Sequence, residues 1–600
     1  MTKLTSYSGP SPWRRHHRWR FGLLTAYFLL LMSPFAHAAE PLEIKVSGVS
    51  DEALANVYAA LVLPPGLIRE GKVEPLWLER FEEQIPDRVR QALEPYGYYD
   101  AKITITQQAN GGGRTILQVT VVQGEPVRVT EVNVRVTGAG AQEPRLQRLV
   151  ADFPLRVGEV LRQDIYDTAK GTMKARGLDL GYLDTDFSTQ QIRLLRAARS
   201  AEIDLEMATG ERYFFGTVQI EGAEIYPDPF LRRFLSFSAG EVFSYSQLGK
   251  TQLNFLGSDR FREVIITPQK AMAEELRVPI DLKLVPAARK RLRPGIGYCT
   301  DTGARMSLNY RDLNVGQRGH EFNAEFSLAE RRQSLTAGYV IPGLKNLDSQ
   351  TALRTGYERE DFTTYDTSAL FSEVEEQHGF GGGRIGSVYL RLSHENYVIS
   401  DQDGSSFMIL PGVRFRHSNY TDPIRPKQGF RYTLEARGTH QSLGSDTGLL
   451  QLIASANTII PLPWKLKLLL RTEGGTTLKN EELAEAPPSL RFFAGGDQSV
   501  RGYAYQSIGP TDADGEVVGG EHLAVGSAEI EVPWGEDWGV AAFFDLGSAF
   551  NTVSTNDWSS GAGIGVRRYT VIGPVKIDIA RQVGVDNPAI RLHLSVGFAW

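Results

Sequence analysis

Six hundred residues with a net charge of −6 leave room for several domains and carry no basic stripe of the kind a nucleic-acid footprint needs. Glycine is raised, at 60 residues, and the single cysteine, Cys299, excludes an intramolecular disulfide. Cys299 stands in a strand-like run, RPGIGYCTDTG, with no nucleophile motif around it, and reads as structural.

The chain opens with a basic segment, RRHHRWR at 14–20, then an apolar run at 21–32 too short to cross a bilayer as a helix. AHA at 36–38 fits the small-x-small cleavage rule, so residues 1–38 are predicted to be a secretory signal peptide. Beyond it no apolar stretch is long enough for a spanning helix. The best, TIIPLPWKLKLLL at 458–470, is broken by prolines and lysines. An exported chain of this kind is either soluble or a β-barrel, because only helices and closed barrels satisfy the backbone in lipid.

Three similar units follow. Each opens with a strand ending in glycine: IKVSG at Gly48, VRVTG at Gly138 and VQIEG at Gly222. Each continues into stretches with apolar residues at three- and four-residue spacing, the amphipathic helical pattern. Gly97, Gly177 and Gly257 are predicted to cap those helices. Two alternating strands close each unit, as YDAKITITQ and RTILQVTVVQ do in the first. The order β-α-α-β-β in tandem resembles the POTRA domain, a periplasmic polypeptide-binding module, with units at 39–125, 126–208 and 209–287. The exposed sheet edges of such units would accept an extended client or partner strand by β-augmentation.

From about Arg291 helical spacing gives way to alternation. In the last segment, AIRLHLSVGFAW, Ile590, Leu592, Leu594, Val596, Phe598 and Trp600 face one way and Arg591, His593, Ser595 and Gly597 the other. One such strand is legal in a soluble sandwich. Many in series, among them SVYLRLSHE, FRYTLEARGTH and VKIDIAR, predict a 16-stranded antiparallel transmembrane barrel over 288–600, apolar to lipid and polar to the lumen. Strand parity places the interval at about 476–521 in the sixth extracellular loop.

That loop carries GGDQSVRGYAY, with Gly495, Gly496, Asp497, Val500, Arg501, Gly502 and Tyr503. It resembles the signature loop of the outer-membrane assembly superfamily, whose barrel follows a row of POTRA domains. A later strand, AAFFDLGSAF, matches the same superfamily's aromatic-x-Asp-x-Gly pattern at Asp545 and Gly547. The resemblance implies that the loop folds into the lumen and that Arg501 meets the wall at Asp545. Guanidinium chemistry agrees, since five donors and a permanent charge demand a carboxylate.

Three units, with GIGYCTDTGARMSLNYRDLN at the first strand and IGPVKIDIA at the penultimate one, look most like the TamA branch of that superfamily. The resemblance implies insertion or translocation of outer-membrane proteins such as autotransporters. It also implies a TamB-like inner-membrane-anchored partner bound through the POTRA domains, and a link to outer-membrane lipid. A BamA-like insertase, a two-partner secretion transporter and a passive porin stand as alternatives. The barrel seam is expected between the first strand, weakened by Pro294, Gly295 and Gly297, and the last, represented by Ile590, Phe598 and Trp600. No enzyme motif, cofactor site or metal site is predicted. GGGRIG at 381–386 reads as a turn rather than a dinucleotide fingerprint, because a barrel strand follows it.

Overall fold

The computed structural model describes residues 41–600 apart from 70, 111–113, 421, 423–424, 480–485, 554–556, 571–572 and 597–600. The predicted leader at 1–38 lies outside the described residues, as do Phe598 and Trp600. Among the described residues no helix is long and apolar enough to cross a membrane.

The chain divides into two compact units, residues 1–213 and 214–600. In the first unit, Leu42–Ser47 lies parallel to Arg114–Val122, which pairs on its other side with Lys102–Asn110. Helices Asp51–Ala60 and Pro75–Leu93 cover this sheet around a core of Val57, Phe81, Ile85 and Leu117. A second sheet repeats the topology: Arg128–Thr137 is parallel to Ser200–Ala208, with Asp186–Leu195 antiparallel beyond. Helices Pro144–Ala151 and Gln163–Asp179 pack on it.

The second unit begins with a third copy. Phe214–Glu221 lies parallel to Arg277–Pro286, with Phe261–Pro268 at the far edge. Helix Tyr245–Gly257 starts at Ser244, whose hydroxyl accepts from the Gln247 N–H, an ordinary N-cap. Its core is aromatic, built on Phe230, Phe234, Phe255 and Phe261.

Two of the predicted helix caps differ from the structure. Gly177 lies inside helix Gln163–Asp179, and the left-handed residue comes later, at Gly181 (φ 91°). Gly177 is there for contact: a Cβ would lie 2.7 Å from Thr185 Oγ1. Gly257 is the last residue of its helix, and Asp259 takes the left-handed turn (φ 63°). Gly97 does cap, at φ 87°.

The third copy is seated on the start of the barrel. Asn314 Nδ2 donates to the Ile225 carbonyl (2.8 Å), and Arg233 donates to the carbonyls of Asn346 (3.2 Å) and Leu347 (3.1 Å). Buried Arg260 donates to the Gly319 carbonyl at 3.3 Å, and the Phe230 ring lies over Gly319 so closely that a Cβ there would be 2.4 Å from it.

Sixteen antiparallel strands then close into a barrel. Alternation is visible in the thirteenth, Trp538–Phe550, where Phe543 and Asp545 are buried and Phe544 and Leu546 exposed. Polar side chains fill the lumen: Arg414 bridges Glu435 (2.9 Å) and Glu375 (3.4 Å) across strands. The glycine-rich 381–386 stretch holds the turn, Gly382–Gly383, between the sixth strand, Tyr365–Gly381, and the seventh, Arg384–Ile399.

Candidate functional site

The sixth loop runs between the eleventh strand, Lys467–Lys479, and the twelfth, His522–Trp534. The eleventh strand extends past Thr476, so the loop starts later than the expected 476. It turns into the barrel on a core of its own: Phe492, Ala494, Val500 and Ile508 pack against Leu523 and Val525 of the twelfth strand and Ala549 of the thirteenth. Tyr503 joins this cluster half-buried. Gly495, Gly496 and Gly502 have φ of 101°, 104° and 98°, a backbone region that L side chains rarely enter.

Arg501 is 5% exposed and Asp545 is 0% exposed. Arg501 Nε donates to Asp545 Oδ2 at 2.7 Å and Nη2 to Oδ1 at 3.0 Å, while its backbone N–H meets Oδ2 at 3.1 Å. Nη1 reaches Glu529 Oε2 (2.8 Å) and Asp578 Oδ2 (3.1 Å), and Nη2 also reaches Ser527 Oγ at 3.3 Å. Every guanidinium donor thus has an acceptor, which is what a buried arginine requires. The guanidinium carbon also lies 3.3 Å from the centre of the Phe543 ring. Arg567 of the fourteenth strand, Ser559–Thr570, neutralises the other side of Glu529 (3.0 Å) and of Asp578. Gly547 serves Val500 rather than Arg501: a Cβ there would come within 3.0 Å of the Val500 side chain. Gly561 lets the loop touch the wall, since a Cβ would lie 1.9 Å from the Arg501 carbonyl oxygen.

In the sequence Asp497 stands out only as part of the motif, and the structure gives it a position of its own. It accepts from Cys299 Sγ (3.1 Å) and Thr300 Oγ1 (3.1 Å) at the end of the first strand, Lys290–Cys299. It also bonds His593 Nδ1 on the last strand, Ile590–Val596. The opposite nitrogen, His593 Nε2, receives the Gly502 N–H at 2.9 Å. A backbone N–H only donates, so Nε2 is bare and the imidazole proton sits on Nδ1, facing Asp497. Asp301, in the turn after the first strand, accepts the Asp497 N–H at 2.8 Å. Burial, and next the nearby Asp497 carboxylate, push Asp301 up to about 6.

Among the described residues the first and last strands share two register pairs, Tyr298↔Val596 and Cys299↔Ser595. Ten residues of the same first strand pair with the second, Gly303–Val315. Thr300 adds to the seam by donating its N–H to the Leu594 carbonyl (3.0 Å) and accepting the Leu594 N–H on Oγ1 (2.9 Å). Gly297 is at the seam, its Cβ position 3.2 Å from the Val596 carbonyl oxygen. Gly295 faces Ser307 of the second strand. Ile590, expected at the seam, pairs with Arg581 on the opposite side of the last strand, because the register carries it past the end of the first strand. A cleft of about 880 Å³ opens beside this edge, lined by Arg293, Arg305, Asn309, Arg311, Glu325 and Val596.

Residues 314–600 match the Omp85 superfamily domain, and residues 43–123 match the POTRA domain TamA domain 1. The chain is similar to the outer membrane protein assembly factor BamA of Nitratidesulfovibrio vulgaris, 20% identical over 80% of this chain and 62% of that protein. It is also similar to BamA of Neisseria meningitidis serogroup B, 22% identical over 81% of this chain and 66% of that protein. It therefore spans slightly under two thirds of the length of these relatives. In fold it resembles the crystal structure of BamA from Haemophilus ducreyi lacking POTRA domains 1–3, with a TM-score of 0.64, 17% identity, and coverage of 78% of this chain and 99% of that one. A closed sixteen-stranded barrel that carries an Omp85 superfamily domain over residues 314–600, with POTRA-like domains before it and an inward loop held on Arg501, is the architecture of an outer-membrane protein with its POTRA domains in the periplasm.

Proposed function

We propose that the protein is a non-enzymatic assembly factor that inserts or translocates outer-membrane proteins, autotransporters among them, in the manner of the TamA branch. A TamB-like partner anchored in the inner membrane would engage the periplasmic domains, and the match of the first of these to a TamA POTRA domain supports that choice over a general insertase. The observation that carries the reading is the sixth loop, which is held against the inner wall on Arg501 and bonds both sides of the seam through Asp497. A loop so placed obstructs passage along the lumen and leaves the seam as the way to the membrane, where a parted edge would offer a row of donors and acceptors to an incoming strand. A passive porin needs neither this loop nor the periplasmic units.

The native chain supplies half of the test. Cys299 lies directly opposite Ser595 across the seam, so Ser595→Cys places two sulfurs on facing positions. Oxidation should stop assembly of an autotransporter client, and reduction should restore it. Undiminished assembly by the fully cross-linked protein would sink lateral opening.

A further inference from the structure

The extracellular end of the seam joins three separate pieces of chain through one side chain. Asp497 of the sixth loop bonds the first strand at Cys299 and Thr300 and the last strand at His593. Its backbone N–H bonds Asp301 in the turn beyond the first strand. We propose that Asp497 is a latch by which the sixth loop holds the seam shut, and that the seam opens by losing the Asp497 contacts to the first strand while keeping those to the last.

The asymmetry follows from what holds the loop. Arg501 is fixed to the twelfth, thirteenth and fifteenth strands through Glu529, Asp545 and Asp578. His593 ties the last strand to the loop twice, at Asp497 and at Gly502. The loop therefore moves with the C-terminal side of the seam. At the seam, among the described residues, the first strand is tied to the loop by Cys299, Thr300 and Asp301 alone, and every one of those bonds ends on Asp497. Among the described residues, its direct hold on the last strand is two register pairs and the bonds of Thr300. Bonds to a carboxylate are roughly twice as strong as neutral ones, so this one aspartate adds materially to what keeps the seam closed.

The proposal rests on the reading that the seam opens, but its test needs no client. Spin labels are placed on the lipid-facing positions Ile296 and Leu592, 85% and 57% exposed, through cysteine substitutions. A Cys299→Ser background removes the native thiol and keeps a donor to Asp497. Distances are measured in lipid bilayers by pulsed dipolar spectroscopy. With Asp497 intact one short distance should dominate. Asp497→Ala should raise a long-distance population severalfold, while the sixth loop stays protease-resistant on its Arg501 anchor. Thr300→Val removes the Oγ1 bonds to both Asp497 and Leu594 and should also raise it, and the double variant should open by less than the sum of the two, the non-additivity expected of partners. Unchanged distances in Asp497→Ala, or opening that appears only together with cleavage of the loop, would overturn the latch. If distances respond as expected but the seam disulfide leaves client assembly untouched, it is the assembly reading that falls.

Discussion

Arg501 is the residue on which the sixth loop turns, and its five donors meet acceptors from three strands. Removing one member of a buried ion pair costs about 3–5 kcal/mol, because the partner charge stays behind unpaired. Arg501→Ala should therefore lower the unfolding midpoint in urea and expose the loop to protease. Arg501→Lys should recover little of this, since an ammonium cannot reproduce the fork on Asp545. A variant with unchanged protease resistance and unchanged heat-modifiable migration would show that the network is not what holds the loop. Sterics give an independent handle. Gly561→Val would drive a side chain into the Arg501 carbonyl and should loosen the loop without touching any charge. Gly526→Ala, on the twelfth strand with open space around it, should be silent.

Protonation at the turn can be read the same way. Asp301 titrates near 6, above the ordinary carboxylate value of 3.8, so ionising it costs folded-state stability. The support it gives is complete below 3.8 and is lost as pH rises through 6. Asp301→Asn should therefore gain in urea midpoint relative to the parent at pH 7.5 and show no such gain at pH 3.5. An equal difference at both pH values would contradict the assignment. The Asp545 partner was legible from the two motifs together. Glu529, Asp578 and Arg567 were not singled out, although alternation puts Glu529 and Asp578 on the same faces of AEIEV and KIDIA that the lumen side demands. The signal was present as charges at inward positions of neighbouring strands. What hid it is that one sequence does not reveal which strands the loop will touch.

At the level of elements, strands were read more reliably than helix ends. Strand periodicity of two is unmistakable when one face meets lipid, and sixteen repetitions correct local errors in any one of them. Helix termini have no such redundancy. Gly177 looks like a cap in sequence, yet its glycine serves the approach of Thr185, a contact no local pattern encodes. The seating of the third periplasmic unit on the barrel was also invisible, because it joins Phe230 and Gly319 across ninety residues. Gly319 has φ 75° and lies under the Phe230 ring. Gly319→Val should thus be doubly unfavourable, strained in backbone and overlapping in space. Amide hydrogen exchange should accelerate at 225–233 and 314–319 and stay unchanged at the sixth loop. Unaltered exchange at 225–233 would mean the ring is not what fastens the two together.

For the molecule as a whole, the sixth loop separates two routes that an empty barrel would merge. Sixteen strands are enough to enclose an aqueous channel, and here the loop enters the lumen and leaves a cavity of about 190 Å³ beside Arg501, Lys576 and His593. Passage through the lumen requires the loop to leave, which breaks the Arg501 network. Passage through the seam requires the Asp497 contacts and the ladder between the first and last strands to part, and leaves the Arg501 network whole. The lateral route disrupts fewer buried charges and should be the easier one. In planar bilayers the unmodified protein should then show low conductance, Arg501→Ala should raise it, and the oxidised Ser595→Cys variant should leave it low while client assembly stops. A steady, large conductance from the unmodified protein would mean the lumen is open after all, and the protein would be a porin rather than an assembly factor.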